Sequence, residues 1–316
     1  MKNRRSLFVI PYVGWLALFV VAPIIMVVVY AFTASGGGFT LENFSRMGGY
    51  AVVFVRSFWL AVLATVICLL IGYPVAYMIS KEGPGFQRVA MMLIMLPMWM
   101  NFLLRTYSWM SILENTGLLN RFFAAVGIIE LGNLINGGLN SLCAWLNGGI
   151  LDVLNSVFGS DWAFSVSRDT QMKFFPMINT QGAVVLGMVY NYLPFMILPI
   201  YSVIEKMDAS LLEAARDLGA GSAGVFRKVI LPLSLPGVLS GVTMVFVPSV
   251  STFAISKLLG GSNELLLGDL IEQQILGTAY NPYLGSAIAL VMMVIVVVCM
   301  AVMNRFGEGE EQAVML

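Results

Sequence analysis

Residues 205–232 read Glu205-Lys206-Met207-Asp208-Ala209-Ser210-Leu211-Leu212-Glu213-Ala214-Ala215-Arg216-Asp217-Leu218-Gly219-Ala220-Gly221-Ser222-Ala223-Gly224-Val225-Phe226-Arg227-Lys228-Val229-Ile230-Leu231-Pro232. Asp208 or Ser210 supplies an N-cap, strong helix formers run through Leu218, and Gly219 supplies a stop. A second short amphipathic helix is expected before Leu231-Pro232. Leu211, Leu212, Ala215 and Leu218 fall on one face of the first helix, an apolar stripe that in a loop calls for something docked on it. The setting of this polar stretch decides the fold, because long apolar runs flank it on both sides.

Those runs belong to a chain of 316 residues that is 59% hydrophobic and 11% charged, with 17 basic residues against 17 acidic ones and a mean hydropathy of +0.87. Soluble domains carry about 25% charged residues, so too few polar side chains exist here to cover a surface in water. The expected class is an all-α membrane protein. A spanning helix needs roughly 20 apolar residues, and six segments qualify: 7–32, 57–79, 89–110, 183–204, 237–255 and 283–303. Only the third contains a charge, Arg105. The first follows Lys2, Arg4 and Arg5 but is longer than the roughly 7–15 residues of a signal's apolar region, so it reads as a retained helix.

Lys and Arg of short loops stay cytoplasmic. Lys2, Arg4, Arg5, Lys81, Arg88, Lys206, Arg216, Arg227, Lys228 and Arg305 then lie inside, whereas Arg46, Arg56, Arg121, Arg168 and Lys173 lie outside on longer stretches. The expectation is a cytoplasmic segment 1–6, a membrane domain over 7–305, a cytoplasmic loop at 205–231 and a cytoplasmic tail at 306–316. Segment 131–172 stands apart. It is uncharged over 131–151 but rich in glycine and asparagine, and buried amides are costly in hydrocarbon. Ile135, Leu139, Leu142 and Leu146, then Ile150, Val153, Leu154, Val157 and Phe158, recur at helical spacing, which suits amphipathic helices in the outer interface; a disordered loop is the alternative.

Pro74, Pro97, Pro194, Pro199 and Pro248 fall inside the spans, where a broken helix is tolerated only if neighbours or a wet cavity satisfy its backbone. Around the last of these, Ser249, Ser251, Thr252 and Ser256 are followed by Lys257 and Gly260-Gly261. Such hydroxyls either face a polar path or bond back into their own helix or a neighbour. Gly237 and Gly241 form a G-x-x-x-G that admits a close helix contact.

Several function classes drop out. With no histidine and three scattered cysteines, the usual zinc sites and His-dependent triads are absent. No Gly-Lys pair exists, so no P-loop does either. Ala220-Gly221-Ser222-Ala223-Gly224 fails G-x-S-x-G at its first glycine. Zero net charge without a basic stripe argues against nucleic acid, and an ion-driven carrier would need intramembrane acids that the spans lack.

The loop resembles that of the membrane subunits of bacterial ATP-binding-cassette importers, whose signature is Glu-Ala-Ala, three residues, Gly, nine residues, then Ile-x-Leu-Pro. Here it is Glu213-Ala214-Ala215, Gly219 and Val229-Ile230-Leu231-Pro232, with Val for the first Ile. Gly72-Tyr73-Pro74-Val75-Ala76, Leu96-Pro97-Met98-Trp99-Met100-Asn101, Leu104-Arg105-Thr106-Tyr107, Tyr192-Leu193-Pro194-Phe195-Met196-Ile197-Leu198-Pro199 and Ile204-Glu205-Lys206-Met207-Asp208 are similar to the B-type permeases of spermidine/putrescine importers, over roughly 7–130 and 173–305.

The resemblance implies a type I importer permease fold with six transmembrane helices and an extra outer segment at 131–172. It implies a multi-pass inner-membrane subunit with both termini cytoplasmic, forming half of a polyamine pathway. The implied partners are a second, C-type permease, a dimer of ATP-binding subunits that hold ATP and Mg, and an extracytoplasmic substrate-binding protein. It makes Glu213, Ala214, Ala215, Arg216, Asp217, Gly219, Leu231 and Pro232 the ATPase-coupling residues, and it assigns this chain no cofactor or catalysis of its own. For a polyamine, Trp99, Tyr107, Tyr190, Tyr192 and Phe253 offer aromatic faces, and Asn101, Ser249, Ser251 and Thr252 offer polar contacts. Lys257, which departs from the acidic residue expected there, and Arg105 fit a cationic solute only if each pairs with an acid such as Glu264, Asp269 or Glu272. The alternative is the same architecture importing an amino acid derivative, a thiamine-like cation or an oxyanion, and Arg105 and Lys257 favour the anion if they face the path.

Overall fold

The computed structural model describes residues 11–34, 36–147, 171–261, 264–277 and 279–314. In chain order its helices are α1 (Pro11–Ala31), α2 (Glu42–Met47), α3 (Ala51–Lys81), α4 (Pro84–Trp99), α5 (Phe102–Leu113), α6 (Leu118–Ala125), α7 (Ile128–Leu146), α8 (Gln181–Glu205), α9 (Ala209–Asp217), α10 (Ser222–Ser251), α11 (Leu267–Ile275) and α12 (Pro282–Val314). Helices α1, α3, α8, α10 and α12 are each long and apolar enough to cross a bilayer. The segments 1–6 and 148–170, with Ile150, Val153, Leu154, Val157 and Phe158, lie outside the described residues.

The third expected span, 89–110, is not one helix. Helix α4 closes with the Met100 N–H on Pro97 O, and the Asn101 side chain then accepts the Leu103 N–H at 2.8 Å, capping α5 as a new helix. The chain turns by 90° at this break. The other prolines do not interrupt their spans: α3 runs through Pro74, α8 through Pro194 and Pro199, and α10 through Pro236 and Pro248. The expected separate helix before Leu231-Pro232 is likewise absent, because α10 starts at Ser222 and passes through a π-turn at Phe226–Ile230, where the Leu231 N–H reaches Phe226 O. That wider turn comes just before Pro232, which has no N–H to give.

Helix α8 is the centre of the bundle, packed between α3 and α10. Met188, Met196 and Ile200 of α8, Leu60 of α3 and Val245 of α10 are fully buried. Glycines set the spacing. A Cβ at Gly237 would lie 2.9 Å from Pro199 O, one at Gly241 3.1 Å from Met196 O, and one at Gly72 3.0 Å from Met196 Cγ. The G-x-x-x-G of α10 therefore faces α8, as small residues do where helix backbones meet in lipid. Helix α1 packs along α12, with Tyr30 and Tyr283 ring centroids 5.6 Å apart.

Asn120, which precedes the extra segment, and Asn133, within it, are clamps. Asn120 of α6 donates to Phe175 O at 3.1 Å and accepts the Phe175 N–H at 2.9 Å; Asn133 of α7 makes the same pair with Met172, at 3.1 and 2.9 Å. Each side-chain amide thus completes the backbone of the extended stretch leading into α8. The apolar face of α7, including Leu134, Ile135, Leu142 and Trp145, stays exposed.

Gly268 tests the tightness of the fold, because a Cβ there would meet Thr252 O at 2.5 Å and Ser251 O at 2.6 Å, backbone atoms that cannot rotate away. Gly268→Ala is expected to destabilise by about 1–3 kcal/mol. Gly138→Ala, with nothing within 4 Å, is expected to leave stability unchanged or slightly raised. Thermal unfolding of both variants in detergent checks the contrast.

Candidate functional site

The loop after α8 folds as its residues dictate. Asp208 caps α9 by accepting the Ser210 N–H at 2.9 Å, a bond that holds its carboxyl below the usual range. At the other end Gly219 adopts φ +84°. The Gly219 N–H bonds Arg216 O at 2.8 Å, and the Ala220 N–H bonds Ala215 O at 3.1 Å. These paired bonds past a left-handed glycine make a Schellman cap. Glu213, Ala214, Arg216 and Asp217 are exposed, as are Leu211 and Leu218, so the helix presents a mixed apolar and charged face. Leu231 and Pro232 are exposed beyond it, where α10 continues.

Residues that sequence reasoning missed fasten this loop to the bundle. Phe226 packs edge-on against Tyr73 and Tyr77 of α3, with centroids 5.8 and 5.2 Å apart, and the Tyr73 hydroxyl lies 2.8 Å from Ser234 Oγ. Separately, Tyr201 of α8 donates to Gln87 of α4 at 3.1 Å, while Gln87 donates to Glu82 O at 2.8 Å, so the α3–α4 turn is tied to α8. The only sequence signal was an aromatic residue standing within a basic loop.

At the opposite end, the turn after α10 crosses the start of α8: the Asn179 N–H bonds Leu259 O at 2.8 Å. Lys257 Nζ holds both carboxylate oxygens of Glu272 at 2.9 Å, and Arg56 reaches Glu264 at 3.2 Å. Asp269 is 4% exposed; one carboxylate oxygen accepts the Leu266 N–H at 3.1 Å, and among the described residues Oδ1 has no partner. Burial pushes its carboxyl up to about 6 against the pull of the nearby Ser256 hydroxyl and the Leu266 N–H. The bond to Glu272 raises Lys257.

The candidate path residues divide. Tyr192 and Thr252 come together beside Pro248, with Arg105 electrostatically coupled to Tyr192. Tyr190 packs edge-on against Trp109 at 5.3 Å. Ser249, Ser251 and Ser256 bond back to Val245 O, Val247 O and Phe253 O, which is the self-bonding alternative. Trp99, Asn101, Tyr107 and Phe253 are exposed on this chain, Asn101 serving as the α5 cap. Arg105 is 8% exposed, and among the described residues its Nε and Nη1 have no hydrogen-bond partner.

With this geometry in view, residues 6–308 match the model of the family described as binding-protein-dependent transport system inner membrane component. The chain belongs to this family. It is 35% identical over 303 residues to the spermidine/putrescine transport system permease protein PotB of Haemophilus influenzae, covering 93% of this chain and 91% of that one. Against the PotB of Escherichia coli it is 32% identical over 295 residues, covering 91% and 92%. The fold matches a crystal structure of a bacterial ABC transporter that imports the acidic polysaccharide alginate, at TM-score 0.68 and 14% identity over 97% of this chain and 96% of that one. It also matches the MetNI methionine transporter at TM-score 0.52 and 16% identity, covering 84% and 98%. The permease is thus a multi-pass inner-membrane transport subunit of the ABC importer type and not an enzyme.

Asp269 gives a pH signature. Its proton is held more tightly in the folded than in the unfolded permease, so stability is greatest below the unfolded carboxylate range, falls as pH rises to about 6 and then levels. Thermal unfolding in detergent between about pH 4.5 and about pH 7 is expected to show this loss in the native chain and not in Asp269→Asn.

Proposed function

We propose that this permease forms half of the translocation pathway of a polyamine importer, passing spermidine or putrescine delivered by an extracytoplasmic binding protein to the cytoplasm. The observation that carries it is relatedness along nearly the whole chain to spermidine/putrescine permeases. The other half of the path is a second, C-type permease. A pair of ATP-binding subunits, which hold ATP and Mg, docks on α9 at the cytoplasmic side, where both termini also lie.

The mechanism follows from how the loop is built. Ala214 and Ala215 let a partner surface approach α9 closely, and Glu213, Arg216 and Asp217 offer charges to it. Leu211 and Leu218 are the apolar anchors. When the ATPase dimer closes, α9 moves as a capped unit. Phe226 pushes on α3 through Tyr73 and Tyr77, and α10 carries the motion without a joint because it is continuous from Ser222 to Ser251. Rigid elements of this kind turn a local closure into alternating access. Pairing of Lys257 with Glu272 removes one of the two positive charges that argued against a cationic solute.

Two variants and one assay test this. Glu213→Arg is expected to abolish uptake while the subunit stays in the membrane. Gly219 has open space around it, so its requirement is conformational: Gly219→Val costs about 1–2 kcal/mol in the left-handed region, whereas Gly219→Asn retains most activity. The complete complex, reconstituted in lipid with its binding protein, is expected to hydrolyse ATP faster with spermidine or putrescine than without. Stimulation by an oxyanion or amino acid instead would overturn the polyamine assignment, and normal uptake by Glu213→Arg would overturn the role of α9.

A further inference from the structure

At the end of the bundle opposite α9, a cavity of about 280 Å³ is lined by Lys257, Gly261, Leu265, Asp269, Glu272 and Gln273. Two carboxylates and one ammonium share it, so it holds a surplus of negative charge. Its polar groups are differently engaged. Glu272 gives both oxygens to the Lys257 ammonium at 2.9 Å. Asp269, 4% exposed, has no hydrogen-bond partner for Oδ1 among the described residues, although a buried carboxylate oxygen left unbonded is costly. That oxygen is therefore open to a further donor.

The chain itself shows which donor fits. Lysine is a butyl chain ending in a primary ammonium, and it is this group that Glu272 grips with both oxygens. The Lys257 side chain is 60% exposed, and ion pairs at such exposure are weak, so its displacement by another cation is easy. We propose that this cavity is a docking site for the terminal ammonium of an incoming polyamine, which takes the place of Lys257 on Glu272 next to Asp269. This inference rests on the polyamine reading above. It gives Lys257 a role: the resident cation keeps the carboxylates neutralised while no substrate is present, and an added cation is held by the charge surplus. The turn Ser256–Gly260, which carries Lys257, follows Thr252 in the chain and holds the Asn179 N–H through Leu259 O.

The test replaces Lys257 by cysteine in a chain whose Cys68, Cys143 and Cys299 are serine, within the reconstituted complex. Thiol modification by 2-aminoethyl methanethiosulfonate, a cation, is compared with that by the anionic 2-sulfonatoethyl reagent. The cation is expected to react roughly tenfold faster or more, as a focused negative potential requires, and spermidine is expected to slow it severalfold. Adding Glu272→Gln and Asp269→Asn is expected to abolish both effects. Equal rates for the two reagents, or no protection by spermidine, would overturn the site. Spermidine uptake by the complex with Lys257 intact separates the two proposals: uptake without protection overturns this inference alone, and protection without uptake overturns the proposed function and leaves the ammonium site.

Discussion

Everything in this permease hangs on how closely α8 lies against α3 and α10. In lipid, helices gain little by hiding apolar side chains from one another, so association depends on contact between backbones and on hydrogen bonds between side chains. The close approach exists here because Gly72, Gly237 and Gly241 each remove a side chain where Pro199 or Met196 of α8 comes within about van der Waals distance of the backbone. Gly187 does the same toward the end of the bundle away from α9, where a Cβ would meet Leu259 and Ile255 side chains at 2.5 and 2.8 Å. One helix is therefore gripped along its length.

That grip makes the two ends of the molecule parts of one object. Toward α9, Phe226 against Tyr73 and Tyr77 holds the loop to α3, and Tyr201 on Gln87 ties α8 to α4. Away from it, the bond from Asn179 to Leu259 and the bond from the Leu267 N–H to Ser57 tie the α10–α12 connection to α8 and α3. Between them α10 continues through Pro236 and Pro248.

The sequence announced what depends on local chemistry. Five long apolar helices, the Asp208 cap, the Gly219 stop and the close contact at Gly237 and Gly241 are set by residues near one another in the chain, and they are found among the described residues, whereas the third apolar run is bent by 90°. What failed was a reading of proline. Pro74, Pro194, Pro199 and Pro248 looked like breaks, yet neighbours hold those helices intact. The sharp break falls instead at Met100-Asn101, where an asparagine cap outcompetes helix continuation. Asn133 looked like a cost in hydrocarbon and turns out to be a backbone clamp, because its partner lies 39 residues away, and Asn120 clamps in the same way a residue 55 positions on. The pairing of Arg56 with Glu264 spans 208 residues and leaves no local trace.

The same distinction governs charge. Arg105 and Lys257 looked alike in the sequence, as two cations on the route of a cationic solute, and the fold treats them in opposite ways. Lys257 sits in the connection after α10, where Glu272 of α11 comes within hydrogen-bonding distance, and its charge is cancelled on the spot. Arg105 lies in the first turn of α5, just after the break, buried near Tyr192 with two nitrogens unbonded. A desolvated guanidinium in that condition carries a large electrostatic cost. Its burial near Tyr192 fixes a positive charge beside one of the candidate path residues. A cation moving past them is favoured only where carboxylates outnumber fixed cations, and among the described residues of this region that condition is met at Asp269 and Glu272.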